Sequence, residues 1–379
     1  MLFKNATVFT PGCTFARADV KTNGEKIEAV GQSLDGNEAI DLDGCYLLPG
    51  FIDIHIHGSA GVDCCDGTPE AIEKLSAYLV TKGVTSFTPA SMSLPAERLD
   101  KVFQNLKACM DNPPSGAYIH GVNMEGPYFS QEKKGAQNGD YIHAPNLEEF
   151  NRLNEKNGRI VRLVDIAPEQ PGAEQFTREA CKVCTVSIAH TTATYEQAKE
   201  ALLWGATNAT HLFNAMPSLL HRAPGVPGAV FEGGFTAELI SDGMHLHPAI
   251  VRLVFKVLDD DKPVLISDAM SAAGMPEGKY SLGGLEVFVK GDGAARLADG
   301  TLAGSTANIL QCVQNAVKFG VPMEKAVRAA TINPASVIGA DKTTGSLKAG
   351  KFADLIVLDK ALNLKFAMVK GDVKVNTLA

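Results

Sequence analysis

An excess of positive charge is missing from this chain. Its 379 residues carry 35 Lys and Arg against 43 Asp and Glu, a formal net charge of −8. That excludes a general nucleic-acid surface and gives no reason to expect binding to an anionic membrane. An anionic small molecule must then be held by local cations, not by an overall field. Long apolar runs are missing too, and no stretch is long enough to span a bilayer. The opening Met1-Leu2-Phe3-Lys4-Asn5-Ala6-Thr7 runs directly into strand-like sequence. It has neither the apolar core nor the cleavage site of a secretory leader, so the expected location is cytoplasmic. Internal repeats and low-complexity segments are absent. The eight cysteines then read as reduced thiols. A hydrophobic content of 45% with 21% charged residues is that of an ordinary globular protein.

What is present centres on Pro49-Gly50-Phe51-Ile52-Asp53-Ile54-His55-Ile56-His57-Gly58. An apolar run leads into two histidines at i, i+2. Strand side chains alternate faces, so His55 and His57 project together, with Cα atoms about 7 Å apart, and can converge on one ion. Taken alone, the pair is more often a strand with two chance histidines.

The rest of the chain supplies partners. Residues 1–48 are short alternating runs broken by Pro11-Gly12, Asn23-Gly24 and Asp43-Gly44, which is turn chemistry. The end of the chain, 346–379, has the same texture. The two ends are expected to pair into one small β-sandwich domain. Residues 49–345 alternate strands ending near His57, Pro89, Glu125, Pro168, His190, His211, His245 and Asp268 with helices such as Pro69 to Thr81, Pro95 to Met110 and Tyr195 to Trp204. That pattern predicts an α/β fold, a (β/α)8 TIM barrel. The segment after His211, with Pro217, Pro224 and Pro227, reads as a long irregular loop.

Barrel active sites are built at the C-terminal ends of the strands. His55, His57, Glu125, His190, His211 and Asp268 all fall there, so one metal-binding cup is expected. Histidine and carboxylate donors without cysteine suit Zn²⁺ or another divalent transition ion, and Glu125 is placed to bridge two. Asp268 is the natural general base, its plainer reading being a helix cap or a partner for a histidine.

These residues resemble the metal-dependent amidohydrolases and, within them, the branch of deacetylases acting on N-acetylglucosamine 6-phosphate. The resemblance rests on Pro49-Gly50-Phe51-Ile52-Asp53, Met124-Glu125-Gly126-Pro127, Ala189-His190, Thr210-His211-Leu212-Phe213-Asn214-Ala215-Met216, Asp242-Gly243-Met244-His245, Ser267-Asp268-Ala269, Leu302-Ala303-Gly304-Ser305 and Gly345-x-Leu347-x-x-Gly350-Lys351-x-Ala353-Asp354-Leu355. It implies that Glu125, His190 and His211 hold the principal divalent metal ion (Zn, with Fe, Mn, Co or Ni as alternatives), and that His55 and His57 are kept for a second. It further implies Asp268 as catalytic base, and substrate contacts at Ala136, Gln137, Asn214, Ala215, His245, Leu302 and Ala303. Arg222 would clamp the phosphate of a phosphorylated amino sugar across a homodimer. Gln137 stands where the family commonly has histidine, which leaves gluco against galacto preference open.

Other motifs carry less. Cys181-x-x-Cys184 lacks a second pair and reads as packing thiols. Gly345-x4-Gly350-Lys351 imitates a phosphate loop, but Phe352 replaces the required hydroxyl residue. His247 is expected to be structural, Trp204 to be packing, and His120, His143 and His221 to be ordinary polar residues. A cyclic-amide hydrolase remains as an alternative enzyme, although those usually place a lysine on the fourth strand and Val161 to Ala167 has none. A catalytically dead barrel serving as a binding module is the non-enzymatic alternative, opposed by the complete ligand set.

Overall fold

The computed structural model describes residues 1–36 and 39–378. Residues 37, 38 and 379, which fall in the expected small domain, lie outside the described residues. The chain forms an α/β fold around a curled parallel sheet in two arcs. One is three-stranded, ordered Tyr118–Ile119, Val84–Pro89, Phe51–Ile56; the other is six-stranded and runs in chain order from Val122–Met124 through Val161–Ile166, Thr185–Ile188, Ala206–Ala209 and Thr236–Ile240 to Pro263–Ile266. Main-chain hydrogen bonds join the arcs on both sides. Ser91 N donates to Asn123 O (2.9 Å), His57 N to Ala269 O (2.9 Å) and Asp268 N to His55 O (2.9 Å).

Helices start where the local chemistry favours them. Pro69 opens Pro69–Val80, with the Thr68 hydroxyl accepting from Ala71 N, because the first turn needs no N–H from proline. Thr194 and Gln197 form a reciprocal cap on Tyr195–Trp204, and Trp204 at its end packs half-buried against the core. His247 caps Pro248–Val257 by accepting from Ala249 N.

Two expectations are corrected. The proline-broken segment after His211 contains a helix, Gly225–Glu232, because Pro227 lies in its first turn, where the missing donor costs nothing. The parallel strand Thr236–Ile240 ends well before His245. The Asp242 carboxylate takes the N–H groups of Met244 and His245 (2.8 and 2.9 Å), an Asx turn that lifts the chain off the sheet. A feature not anticipated is the antiparallel sheet Gly278–Leu282, Leu285–Lys290, Ala294–Arg296.

The two chain ends do meet in one sheet: Tyr46–Pro49 pairs antiparallel with Leu355–Leu358. Its faces follow the strand period of two. Leu355 and Val357 join a core with Phe3, Val8 and Phe366, while Ile356 and Leu358 face the main core. Burying such side chains contributes about 1.5–3 kcal/mol each. Asn5 takes a positive φ of 62° at a register shift, which puts odd-numbered Phe3 and even-numbered Ala6 and Val8 on one face.

Gly50 is the hinge between this sheet and the parallel one. Its N donates to Asp354 O (3.0 Å), and a Cβ there would sit 2.1 Å from Thr85 Oγ1. Gly50→Ala should therefore destabilise by about 1–3 kcal/mol through overpacking, read as a melting temperature lower by several degrees. An unchanged melting temperature would show that Val84–Pro89 yields freely at this contact.

Candidate metal centre and active site

The site residues sit at the mouths of the parallel strands. His55 is the last but one residue of its strand and His57 lies just past its end; Glu125 follows Met124, and His190, His211 and Asp268 each lie two residues beyond Ile188, Ala209 and Ile266. On the first strand Ile52 and Ile54 join an apolar cluster with Val264 and Ile266. The alternate positions, Asp53 and His55, meet polar partners. His190, His211 and Asp268 take left-handed backbone conformations, φ 44°, 30° and 48°. A non-glycine residue there costs of order 1–3 kcal/mol, so packing holds these side chains in place against local preference.

All six side chains are buried and converge on Glu125. One oxygen, Oε1, faces Nε2 of His190 (3.1 Å), His211 (3.4 Å) and His55 (3.5 Å), and Oε2 faces Nε2 of His57 (3.3 Å). His190 and His211 bring their Nε2 atoms within 3.2 Å of each other. Asp268 Oδ1 lies 3.2 Å from His57 Nε2 and 3.7 Å from His55 Nε2.

The far nitrogens decide what these contacts mean. Nδ1 of His190 donates to Lys133 O (2.9 Å), Nδ1 of His57 to Ala90 O (3.2 Å) and Nδ1 of His55 to Glu238 Oε2 (3.0 Å). In the neutral tautomer each Nε2 then points a lone pair at a carboxylate oxygen, which is repulsive unless a cation lies between. His55 Nε2 is buried without a hydrogen-bond partner. Four ligands at 2.0–2.1 Å around a tetrahedral ion stand about 3.3–3.4 Å apart, close to the 3.1–3.5 Å separations around Glu125. Among the described residues, two triads that could hold an ion share Glu125: Glu125 with His190 and His211, and Glu125 with His55 and His57.

Burial disfavours an ionised Glu125 or Asp268. Where His55 and His57 carry a proton on Nε2, they hold the Glu125 carboxyl well below the usual range and lower that of Asp268; where they are neutral, a cation between the groups has to take that part. Asp53 is pushed up to about 6 by burial while accepting from Ser267 Oγ (2.5 Å), which ties the Ser-Asp-Ala segment to the first strand.

A cavity of about 490 Å³ opens onto the centre. It is lined by His57, Glu125, His190, His211 and Asp268, and by Ala136, Gln137, Asn214, Ala215, His245 and Leu302. His245 presents Nε2 to it, with Nδ1 held by Asp242 Oδ2 (2.7 Å). Some expected contacts stand elsewhere. Ala303 is buried in the main core, its N donating to Ala295 O, because the antiparallel insertion takes that segment as a partner. Arg222 is exposed, its Nη1 donating to His221 Nε2 (2.7 Å), outside the cavity of its own chain. Gln137 spends its amide on the protein: Nε2 donates to Glu125 Oε2 (2.8 Å) and Oε1 accepts from Ser93 N (2.7 Å).

Sequence reasoning missed Glu238, Lys133 and Lys134. Both lysines line the cavity, a few residues before the expected contacts Ala136 and Gln137; two adjacent cations were the usable signal. Glu238 carried none, as a lone acid within an apolar strand. The Cys181 and Cys184 thiols are free, and Lys351 binds Thr344 O and Ser346 Oγ, a purely structural role.

Residues 46–378 match the amidohydrolase family. N-acetylglucosamine-6-phosphate deacetylase of Lysinibacillus sphaericus is 34% identical over 384 residues, covering 100% of this chain and 98% of that protein. N-acetylgalactosamine-6-phosphate deacetylase of Escherichia coli O157:H7 is 36% identical over 86% of each chain. Among solved structures, a variant of the Mycobacterium smegmatis N-acetyl-D-glucosamine-6-phosphate deacetylase in complex with N-acetyl-D-glucosamine-6-phosphate superposes with a TM-score of 0.94 at 33% identity, covering 99% of both chains. The Thermotoga maritima N-acetylglucosamine-6-phosphate deacetylase gives 0.90 at 32% identity, over 99% of this chain and 100% of that one. On sequence, fold and site together, this chain belongs to the amidohydrolase family.

Proposed function

We propose that this enzyme hydrolyses the acetamide of N-acetyl-D-glucosamine 6-phosphate, giving glucosamine 6-phosphate and acetate. The observation that carries the reading is Glu125 shared by four imidazoles, with Asp268 at the edge of the same cavity. Relatives named for this reaction, and one solved with this sugar phosphate, support the substrate. The family is metal-dependent, and Glu125, His190 and His211 would hold the principal ion, with His55 and His57 completing a second. The nitrogen and oxygen donors favour zinc, with iron, manganese, cobalt or nickel as alternatives. Such an ion supplies Lewis acidity and lowers the pKa of a water it binds from about 15.7 to about 7.

The chain's own groups do the rest. Asp268 accepts the proton of the attacking water and passes it to the amide nitrogen as the C–N bond breaks. His245, fixed by Asp242, offers Nε2 to a sugar hydroxyl or the carbonyl end. Asn214 and the backbone at Ala215 line the path for the sugar and phosphate, and Leu302 walls it. The galacto-configured relative keeps N-acetylgalactosamine 6-phosphate as a second candidate. Acetate release measured over a panel of phosphorylated and unphosphorylated N-acetyl sugars tests the reading. Turnover of a cyclic amide with none of the sugars would overturn it.

We also read the two arcs as one (β/α)8 barrel spanning residues 49–345, and the two-ended sheet as a small β-sandwich domain of residues 1–48 and 346–379. The main-chain bonds between the arcs and the pairing of Tyr46–Pro49 with Leu355–Leu358 support this.

Asp268→Asn preserves shape but removes basicity. Its kcat should fall by about 10² to 10⁴ with KM little changed, and near-normal turnover at neutral pH would assign the base elsewhere. Replacing both His55 and His57 by Ala should leave one tightly held divalent ion by elemental analysis. Loss of all metal in that variant would mean that Glu125, His190 and His211 do not suffice.

The phosphate needs a cation in a chain of net charge −8, and the exposed Arg222 can give one only to another copy in a homodimer. Arg222→Ala should raise KM chiefly for phosphorylated substrates. Lys134→Ala is the control from within the cavity. If that change alone raises KM, the clamp is local and Arg222 is a surface charge.

A further inference from the structure

Beneath the metal centre, polar side chains cross four neighbouring parallel strands as one hydrogen-bonded rung. Thr210 Oγ1 donates to Asp165 Oδ1 (3.0 Å) and lies 2.5 Å from Ser187 Oγ. Asn208 Nδ2 reaches Ser187 Oγ (2.9 Å) and Glu238 Oε1 (2.8 Å), and Thr236 Oγ1 donates to Asn208 Oδ1 (2.6 Å). Glu238 is fully buried. Its other oxygen, Oε2, accepts from His55 Nδ1 (3.0 Å) and lies 3.4 Å from the backbone N of His211.

A buried carboxylate is costly unless every lone pair has a donor. Here the donors are chosen: Asn208 holds one oxygen in register, so the other is aimed at the His55 ring. That contact fixes the proton on Nδ1 and turns Nε2, which has no hydrogen-bond partner of its own, toward Glu125 and Asp268. His57 and His190 are oriented by backbone carbonyls, Ala90 O and Lys133 O. His55 alone of the three depends on an ionisable side chain. A negative partner also makes the imidazole a stronger donor to a cation.

We propose that Glu238 is a positioning residue that fixes the tautomer and orientation of His55, and so makes the His55–His57 half of the centre able to hold a second divalent cation. This rests on the metal-centre reading above. Glu238 touches neither substrate nor ion, and its effect is carried through His55.

The test uses the full chain, stripped with a chelator and titrated with Zn²⁺, with stoichiometry and both dissociation constants read by calorimetry and elemental analysis. The parent should take two ions. Glu238→Gln keeps the shape and one acceptor, and Glu238→Leu removes both. The second dissociation constant should rise in the order parent, Gln, Leu, reaching about 10- to 100-fold, while the first changes far less. In the background of His55→Ala, Glu238→Gln should change metal affinity no further, an outcome that general loosening of the fold would not give. Glu238→Gln also guards against misfolding in the leucine variant, since its metal-free melting temperature should stay close to the parent's.

A second ion held as tightly by Glu238→Leu as by the parent overturns the proposal, as does equal weakening of both ions. A parent that takes only one ion overturns it while leaving the principal site intact. A parent that takes none removes the metal-centre reading itself, so the two failures are told apart.

Discussion

Everything around the cavity answers to one buried carboxylate. Glu125 is almost wholly removed from solvent, and an ionised carboxylate in such a place costs several kcal/mol unless opposite charge surrounds it. Four imidazoles close on its two oxygens, yet three of those rings have their protons drawn away to acceptors on the far side. The cluster is therefore short of positive charge in its own side chains, and the donor set is made for cations. Gln137 adds a further anchor: its amide spans Ser93 N and Glu125 and fixes the carboxylate from the cavity side.

Holding that geometry requires departures from relaxed structure. His190, His211 and Asp268 all sit at positive φ, each two residues past the end of a parallel strand. The strands absorb the strain because their other residues are deeply committed to packing, as Ile188, Ala209 and Leu265 are in the main core. Below the cluster the interior changes character from apolar to polar. Asp165, Ser187, Asn208, Thr210 and Glu238 form a connected rung with no exposure. Burial, with Glu238 and Glu125 close by, pushes the Asp165 carboxyl well up, so that this end of the rung favours a neutral acid.

The two-ended sheet acts at a distance from the chemistry. Its interior strand Leu355–Leu358 is fully buried. Asp354, just before that strand, accepts from Tyr118 Oη (2.7 Å), Thr344 Oγ1 (2.8 Å) and Lys370 N (2.8 Å). Tyr118 belongs to the third parallel strand, so this carboxylate ties the sheet to the base of the structure while Gly50 forms the covalent hinge. The result is a fixed starting point for the strand that delivers His55 and His57.

Much of this was legible from residue order. Short apolar runs alternating with helical segments located the parallel strands, and histidines or acids at their ends named Glu125, His190, His211 and Asp268, because a strand's direction fixes which end its last residue reaches. Turn residues at both chain ends marked the terminal strands, and hydrophobic alternation there was enough to expect their pairing. Other features were set only by tertiary structure. The Asx turn at Asp242 ended a strand that periodicity alone would have prolonged to His245. Pro227 read as a loop signal until its place in a first helical turn was known. Ala303 looks like a cavity residue in sequence, but the antiparallel insertion claims it for the core; Gln137 does line the cavity, yet its amide is taken by Glu125 and Ser93. Glu238 is the clearest case. In sequence it is one acid in an apolar strand, and only the side-by-side placement of strands far apart in the chain brings it against His55, 183 positions away. A contact across that separation has no local signature, because it depends on the curl of the sheet and not on the residues flanking it.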